Sequence, residues 1–263
     1  MDLGIKGKVA VVAASSSGLG LATAEALARE GVHLAICSRD KNRIQEAGKY
    51  LKSTYGVDVL DWVCDVTDTK SVRAFQERVM DHFGNYHILF TNAGGPPPGS
   101  IETFSLSDIR GAVELNLFST INLVERFLPV LKSQQWGRII ALASISVKQP
   151  LPTLALSNIS RVGVVAYIKT LSQAVASLNI TANVVAPGYF MTDRVKELIE
   201  KKAGESGIEY DQALSNLLTS IPAKKTGNPA DFGSLVTFLA SEPASYITGD
   251  TILIDGGMYQ GLM

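Results

Sequence analysis

Cysteine, excess charge and long apolar runs are all scarce in this chain. Its two cysteines, Cys37 and Cys64, lie in strand-like segments, and no Cys/His cluster has metal-ligand spacing, so we predict buried thiols in a reducing compartment and no metal site. A formal net charge of −1 without basic clusters gives no electrostatic reason to bind nucleic acid. No basic region leads into an apolar one at the N-terminus, and no apolar run is long enough to cross a bilayer. We therefore expect a soluble cytoplasmic protein without a membrane partner.

The chain also lacks repeats and low-complexity linkers, and its 263 residues suit one α/β domain with a large core. Strand-like and helix-like segments alternate, which is typical of a Rossmann-like doubly wound parallel sheet with helices on both faces. Beyond the first three elements, the predicted strands are 57–64, 87–91, 138–143, 180–185 and 251–254. The predicted helices are 42–55, 69–83, 107–133, 154–178 and 229–240. In such a sheet, ligands bind at the carboxyl ends of the strands.

The first three elements form a candidate dinucleotide cradle. An apolar strand at 9–13 leads through the loop Ser15-Ser16-Ser17-Gly18-Leu19-Gly20 into a helical pattern at 21–29, and a second apolar strand follows at 33–37. A helix N-terminus after such a loop offers free N–H groups and a positive dipole end to a pyrophosphate. The alternative is that the glycines only let helix and strand pack closely.

One insertion breaks the alternation. Residues 193–219 are charged and amphipathic and directly follow the end of a predicted strand. We predict a helical lid over the ligand cleft, and the alternative is a surface helical hairpin. Together with Pro96-Pro97-Pro98-Gly99, the lid indicates a mainly apolar pocket with a stiff wall for a small substrate.

Distinctive residues follow the predicted strands. They are Asp65-Val66 after the third, Asn92-Ala93-Gly94 after the fourth, Ser144 after the fifth, and Pro187-Gly188 after the sixth. With the glycine loop, Asn116 and Asp255-Gly256-Gly257, this set resembles the short-chain dehydrogenase/reductase family over nearly the whole chain, most of all its 3-oxoacyl-acyl-carrier-protein reductases. The resemblance implies a homotetramer in which helices 107–133 and 154–178 pack across one interface.

The resemblance also implies a nicotinamide cofactor and assigns residues to it. Asp65 would bind the adenine amino group beside Val66, the segment 92–94 would carry the middle of the cofactor, and Pro187, Gly188 and Thr192 would hold the nicotinamide end. The predicted cofactor-binding residues are Ala14, Ser15, Ser16, Ser17, Gly18, Leu19, Gly20, Ser38, Arg39, Asp65, Val66, Asn92, Ala93, Gly94, Arg161, Pro187, Gly188 and Thr192.

Two departures from the family pattern affect the cofactor. Ala13-Ala14 replaces the usual Thr-Gly, so a methyl group narrows the backbone approach and a threonine hydroxyl link to the Asn-Ala-Gly segment is lost, which favours weaker binding. Ser38-Arg39 stands where an acidic residue would accept bonds from the ribose, and a hydroxyl beside a planar cation suits a 2′-phosphate. We therefore predict a preference for NADP(H) over NAD(H). The alternative is that Arg39 is solvated, or stacks on adenine without choosing between cofactors.

The catalytic pattern departs most from the family. Relatives place a Tyr thirteen residues beyond the serine equivalent to Ser144 and a Lys four residues later, where this chain has Ser157 and Arg161. An aliphatic hydroxyl is a far weaker acid than a phenol, and arginine does not release its proton, so Arg161 keeps only a ribose-binding role. Tyr189 and Lys148 are the substitute proton donors to consider. Otherwise they are a pocket wall and a solvated loop residue.

Asn116 is a poor helix former among apolar residues in the middle of a predicted helix. This predicts a bulge or a water site, and the resemblance implies a bent helix that holds a water for proton transfer. An ordinary surface position is the alternative. Asn116, Ser144, Ser157 and Arg161 are the predicted catalytic residues.

Three functions fit these residues. The chain is an NADP(H)-dependent oxidoreductase with an atypical proton donor, acting on a small, mainly apolar carbonyl or alcohol. Or it binds NADP(H) without redox turnover, as a sensor or a non-catalytic subunit. Or it performs non-redox chemistry beside the cofactor. Asn116 and Ser144 are present and the predicted lid carries apolar side chains, which favours a site that holds a small molecule. The enzyme is therefore the favoured hypothesis.

Overall fold

The sheet is built from seven parallel strands. The computed structural model describes residues 1–262. Its strands are β1 Val9–Ala13, β2 His33–Ser38, β3 Val59–Val63, β4 Ile88–Thr91, β5 Gly137–Leu142, β6 Ile180–Pro187 and β7 Thr251–Ile254. They pair in the order β3-β2-β1-β4-β5-β6-β7, so the direction of winding reverses between β1 and β4. A crevice opens at the carboxyl ends of the strands where this reversal occurs.

Helices connect the strands and cover both faces of the sheet. They are α1 Gly18–Arg29, α2 Lys41–Tyr55, α3 Thr69–Phe83, α4 Leu106–Val113, α5 Ser119–Ser133, α6 Ala155–Val175, α7 Asp193–Ser206, α8 Tyr210–Thr219 and α9 Pro229–Leu239. Short 3₁₀ turns lie at Ile101–Thr103, Ile145–Val147 and Ala176–Leu178. No helix within residues 1–262 has the length and apolar character to cross a membrane.

The core has one layer on each side of the sheet. Along β1, Val9, Val11 and Ala13 face a core formed with α3, α5 and α6. Ala10 and Val12 face the opposite way, into a core formed with α1, α2 and α9. Every residue of β1 is therefore buried, as expected when successive side chains alternate between two covered faces. The predicted doubly wound α/β architecture is confirmed.

The helix predicted as one continuous element at 107–133 is interrupted. Between α4 and α5, residues Glu114–Phe118 form a π-helical segment with Asn116 at its centre. A π segment inserts one residue into a helix and commonly lies at a functional site. The helix predicted at 154–178 is also divided, because its last turn, Ala176–Leu178, is a 3₁₀ turn that ends at the left-handed Asn179.

The insertion at 193–219 consists of the two helices α7 and α8. They share a small apolar cluster of Val195, Ile199, Ala203 and Ala213, which is separate from the two sheet cores. The pair therefore packs as a unit of its own beside the carboxyl ends of the strands.

Candidate active site

Two cavities adjoin at the carboxyl ends of the strands. The first, of about 280 Å³, lies at the ends of β1, β4, β5 and β6. The second, of about 320 Å³, lies at the ends of β1, β2 and β3. Ala14, Ser17 and Gly94 line both cavities. They form one groove across the point where the winding direction reverses.

The loop after β1 has a specific backbone shape. Ala14 has a left-handed conformation (φ +48°), which glycine adopts without strain, and this explains why relatives with Thr-Gly carry glycine there. A Cβ at Gly20 would lie 2.2 Å from the carbonyl oxygen of Ala14, so this position requires glycine. Ser15 is fully buried and its hydroxyl donates to the Val12 carbonyl at 2.7 Å. Ser15 and Gly20 therefore stabilise the conformation of the loop, and they do not line either cavity.

The N-terminus of α1 is open toward the groove. Ser17 precedes the helix in an extended conformation and forms no side-chain cap, so the first N–H groups of α1 have no side-chain acceptor. Thr192 lies on the opposite wall, because a Cβ at Gly18 would come within 3.6 Å of its methyl group. An uncapped helix end behind a glycine loop fits a dinucleotide pyrophosphate.

The second cavity contains the residues predicted for the adenosine end. Ser38, Arg39, Asp65, Val66 and Ala93 line it together with Arg43, which the sequence analysis missed. Arg43 lies in the first turn of α2, whereas Arg39 precedes the N-cap residue Asp40, so helical spacing gave no signal for Arg43. The cavity thus offers two guanidinium groups.

Asp65 is held as a carboxylate. Its Oδ1 accepts bonds from the backbone N–H (2.9 Å) and the hydroxyl (2.7 Å) of Thr67. Burial raises the pKa of Asp65, but these two bonds and nearby Arg39 outweigh burial and leave the pKa below its ordinary value. A charged Asp65 accepts hydrogen bonds and does not donate them.

Asn92 joins the ends of β1 and β4. Its side-chain nitrogen donates to the Ala14 carbonyl at 3.2 Å, and its oxygen accepts from the Gly94 N–H at 3.2 Å. The link between the two loops that a threonine supplies in relatives is thus made here from the β4 side.

Asn116 is buried and bonded on both sides. Its side-chain nitrogen donates to the Gly94 carbonyl at 3.1 Å, and its oxygen accepts from the Ser160 hydroxyl at 2.9 Å. Only 4% of the residue is exposed, so a plain surface position is excluded. Asn116 therefore joins the β4 loop to α6 behind the groove, and it lines neither of the two cavities.

Arg161 joins three backbone carbonyls. Its Nη1 donates to Leu142 and Ala143, both at 3.1 Å, and its Nη2 donates to Gly94 at 2.8 Å. The residue is 6% exposed and, within residues 1–262, forms no ion pair. Burial, and secondarily the neighbouring Arg194, lower the pKa of Arg161 to about 10. The side chain still carries its charge at neutral pH and lines the first cavity.

Ser144 and Ser157 line the same cavity as Arg161. The Ser144 hydroxyl accepts a bond from the Ser146 N–H at 3.1 Å, which leaves its own hydrogen free to donate. The Ser157 hydroxyl lies 3.3 Å from the hydroxyl of Ser146, a buried residue that the sequence analysis missed. The structure therefore brings the predicted serines and arginine together around one space.

The two substitute proton donors are placed differently. Tyr189 lines the first cavity, beside Pro187 and Gly188, and burial raises its pKa above the ordinary value. A phenol with a raised pKa is a poorer acid. Lys148 is exposed and is not part of the cavity wall. Tyr189 is therefore part of the wall of the first cavity, and Lys148 lies outside this cavity.

A second arginine lines the first cavity from the α7 side. The Nη1 of Arg194 donates to the Gly95 carbonyl at 2.8 Å, and its Nη2 donates to the Pro96 carbonyl at 2.5 Å. A Cβ at Gly95 would lie 2.5 Å from the guanidinium carbon, so a side chain at this position would displace the Arg194 guanidinium. No sequence pattern could identify Arg194, because its contact depends on where α7 packs.

The whole chain matches known proteins. A family model described as enoyl-(acyl carrier protein) reductase matches residues 13–259. The chain is 30% identical to the 3-oxoacyl-[acyl-carrier-protein] reductase FabG of Escherichia coli K12 over 257 residues, which cover 98% of this chain and 99% of the relative.

Solved structures match equally well. L-sorbose reductase from Gluconobacter frateurii, complexed with NADPH and L-sorbose, superimposes with a TM-score of 0.95 at 33% identity, covering 100% of both chains. An NADPH-bound short-chain oxidoreductase from Pseudomonas aeruginosa PAO1, described as containing an atypical catalytic center, gives a TM-score of 0.90 at 29% identity, covering 98% of this chain and 99% of the other. An NAD⁺-bound xylitol dehydrogenase gives 0.90 at 25%, covering 96% and 99%. With this fold and these matches along its length, the chain belongs to the short-chain dehydrogenase/reductase family of oxidoreductases.

Proposed function

We propose that the protein is an NADP(H)-dependent oxidoreductase that acts on a small carbonyl or alcohol substrate through an atypical catalytic site. The observation that carries this proposal is the groove itself. It joins an uncapped helix N-terminus and two arginines at one end to a cavity lined by Ser144, Ser157 and Arg161 at the other. Apolar side chains such as Leu154, Val195 and Leu198 complete the first cavity, which suits a small, mainly apolar substrate.

The residues of this chain fit the cofactor along the groove. The backbone N–H groups at residues 16–18 would bind the pyrophosphate. Arg39 and Arg43 would bind a 2′-phosphate beside Ser38. Asp65 would accept from the adenine amino group next to Val66. Pro187, Gly188 and Thr192 would hold the nicotinamide end. When bound, NADPH would supply a hydride to the carbonyl carbon, and the oxygen takes a proton to give the alcohol.

Ser144 is the residue best placed to hold the substrate carbonyl. Its hydroxyl oxygen already accepts from Ser146, so its hydrogen is free to donate to a carbonyl in the cavity that Ser144 lines. A donor aimed at the carbonyl oxygen stabilises the negative charge that develops there. Arg161, with its remaining N–H groups, would bind the ribose hydroxyls, while Asn116 and Ser160 fix the wall behind it.

The proton supply is what makes the site atypical. The serine hydroxyl at 157 is a far weaker acid than a phenol, whose pKa is about 10. Arg161 keeps its proton because three backbone carbonyls accept hydrogen bonds from its charged guanidinium group. Both residues donate hydrogen bonds without giving up a proton. We therefore expect slow reduction of ordinary ketones, with the proton coming from water.

NADPH oxidation with a panel of small ketones tests this function. We expect measurable but slow turnover that falls at least tenfold in Ser144→Ala, because one donor to a developing oxyanion is lost. Ser133→Ala, at an exposed helix end away from the groove, is the matched control. Rapid turnover that survives Ser144→Ala would place the carbonyl clamp and the proton donor elsewhere.

A second candidate is an NADP(H)-binding protein without redox turnover. The one observation that favours it is the absence of a catalytic acid at position 157. Calorimetric titration with NADPH separates the two functions. Tight binding without oxidation of any ketone tested would support this second candidate.

We also propose a homotetramer and a lid. Phe118, Ile159 and Val162 are exposed apolar side chains on the helices that the family resemblance assigns to an interface, and covering them would remove apolar surface from water. Helices α7 and α8 enclose a further cavity of about 600 Å³ that shares Leu154 and Tyr189 with the first. Light scattering at micromolar concentration is expected to give four chains, and a monomer mass would contradict the assembly.

A further inference from the structure

Two cations face one cavity. Arg161 approaches from α6 and Arg194 from α7, and the loop 94–96 lies between them because each donates to its carbonyls. Among residues 1–262, the only carboxylate on the cavity wall is Asp193, which is exposed and pairs with Lys196 at 3.3 Å. The cavity therefore carries an excess of positive charge.

Neither arginine has an anion of its own. Within the described part of the chain, both guanidinium groups bond to backbone carbonyls and neither forms an ion pair. Burial lowers the pKa of both, with Glu197 acting in the opposite direction on Arg194. Arg161 is buried, and a buried cation is normally paired because removing a charge from water is costly. Arg194 is exposed where it lines the cavity, so its guanidinium is accessible to an anion that enters there.

The cofactor does not account for Arg194. On the proposed function, the pyrophosphate lies at residues 16–18, the 2′-phosphate lies between Arg39 and Arg43 in the other cavity, and the ribose takes Arg161. Arg194 is thus left beside the space next to Ser144 where the substrate would bind.

We propose that the substrate of this site is an oxo acid, a carbonyl compound with a free carboxylate, and that Arg194 is the residue that selects it. The two N–H groups now held by the Gly95 and Pro96 carbonyls form a fork that matches a carboxylate. A carboxylate bound there replaces two neutral acceptors with a charged one. This inference rests on the proposed function and replaces the neutral thioester of the 3-oxoacyl relatives with a free acid as substrate.

Acetoacetate and methyl acetoacetate form a matched pair of probes, because they share the ketone and differ in the charge. Binding to the full-length protein saturated with NADP⁺ is measured by calorimetry, where no turnover intervenes. We expect acetoacetate to bind at least tenfold more tightly than its ester. Arg194→Gln, which retains N–H donors without the charge, is expected to weaken acetoacetate binding at least tenfold and to leave ester binding unchanged. Arg194→Lys is expected to restore most of the affinity.

Lys196→Gln is the control, since it removes the same charge from the same helix outside the cavity wall. Equal binding of acid and ester, no measurable acetoacetate binding, or unchanged affinity in Arg194→Gln would each overturn the inference. If Arg194→Gln has a much lower melting temperature than Lys196→Gln, the inference is tested instead by comparing acetoacetate with its ester in the wild type and in Arg194→Lys.

The outcome is separable from that of the proposed function. Charge-dependent binding without NADPH oxidation by any carbonyl compound would refute the oxidoreductase and leave the carboxylate site standing. NADPH oxidation with neutral ketones, without a preference for oxo acids, would support the oxidoreductase and refute the carboxylate site.

Discussion

Ser157→Tyr is the substitution that most directly tests the account of the catalytic site. Position 157 lies on the wall of the first cavity, so a phenol ring built there has adjoining space to enter. The native side chain is 8% exposed and its one hydrogen bond, to Ser146 at 3.3 Å, is long. Arg161 lies four residues further along α6 and hence on the same face of the helix.

The expected gain follows from the charge on Arg161. A phenol has an ordinary pKa of about 10, and a cation within about 4–6 Å lowers it by about 1–3 units. The charge on Arg161 would therefore lower the pKa of a tyrosine at 157 toward the pH of the assay. General acid catalysis by such a group contributes about a hundred- to ten-thousand-fold. We expect the kcat/KM for a small ketone to rise about a hundredfold.

Steady-state NADPH oxidation across pH 6–10 is the assay, and Ser157→Phe is the control because it adds the ring without the hydroxyl. We expect a rate increase in Ser157→Tyr alone, with activity falling above the pKa of the new phenol. If both variants fold and bind NADPH, yet tyrosine is no faster than phenylalanine, then the missing acid does not limit the wild-type enzyme and the reasoning is refuted.

Three further predictions follow from other side chains. Arg161→Met should lower the free energy of unfolding by about 3 kcal/mol, because three charge-assisted hydrogen bonds outweigh the desolvation of the charge, whereas exposed Arg73→Met should leave it nearly unchanged in denaturant titrations. Arg39→Asp should weaken NADPH binding at least tenfold and spare NADH, and equal losses in calorimetry would contradict the 2′-phosphate assignment. Burial, then Lys8, lower the pKa of His87 to about 4, and its Nδ1 accepts from the Val9 N–H at 3.1 Å. As pH falls, His87 is therefore protonated in the unfolded chain before it is protonated in the folded protein. This should lower the free energy of unfolding by about 2 kcal/mol between pH 7 and 4.5, and His87→Asn should abolish this loss.

The strand and helix pattern was predictable because burial on both faces leaves a strong signal in sequence. The apolar run that predicts β1 at 9–13 matches the structure residue for residue. Element ends were less predictable, since α1 begins at Gly18 and not at 21, inside the loop that the glycines signal. The interruption at Asn116 was predictable, because a poor helix former among apolar residues needs a local reason.

Side-chain placement was only partly predictable. Proximity to strand ends brings Ser144, Ser157 and Arg161 together, as chain spacing indicates. Ser15 falls behind its loop because a backbone turn, which sequence does not specify, directs its hydroxyl to Val12. Arg194 was invisible because its partners lie 98 and 99 residues away along the chain. Contacts made between a lid and a loop depend on tertiary packing and leave no periodic pattern.

The position of β7 at the far edge of the sheet has a consequence for biosynthesis. The Gly188 N–H donates to Ile254 at 3.0 Å, and a Cβ on Gly188 would lie 2.9 Å from the Cα of Asp255, so β7 supports the wall beside the nicotinamide end. Parallel strands pair only after a long crossover segment has formed, and β7 leaves the ribosome after the other six strands. A nascent chain therefore carries β6, Ile180–Pro187, as an open edge until Thr251–Ile254 has been made. The adenosine half of the groove can form while translation continues, whereas the reactive half forms only when β7 docks.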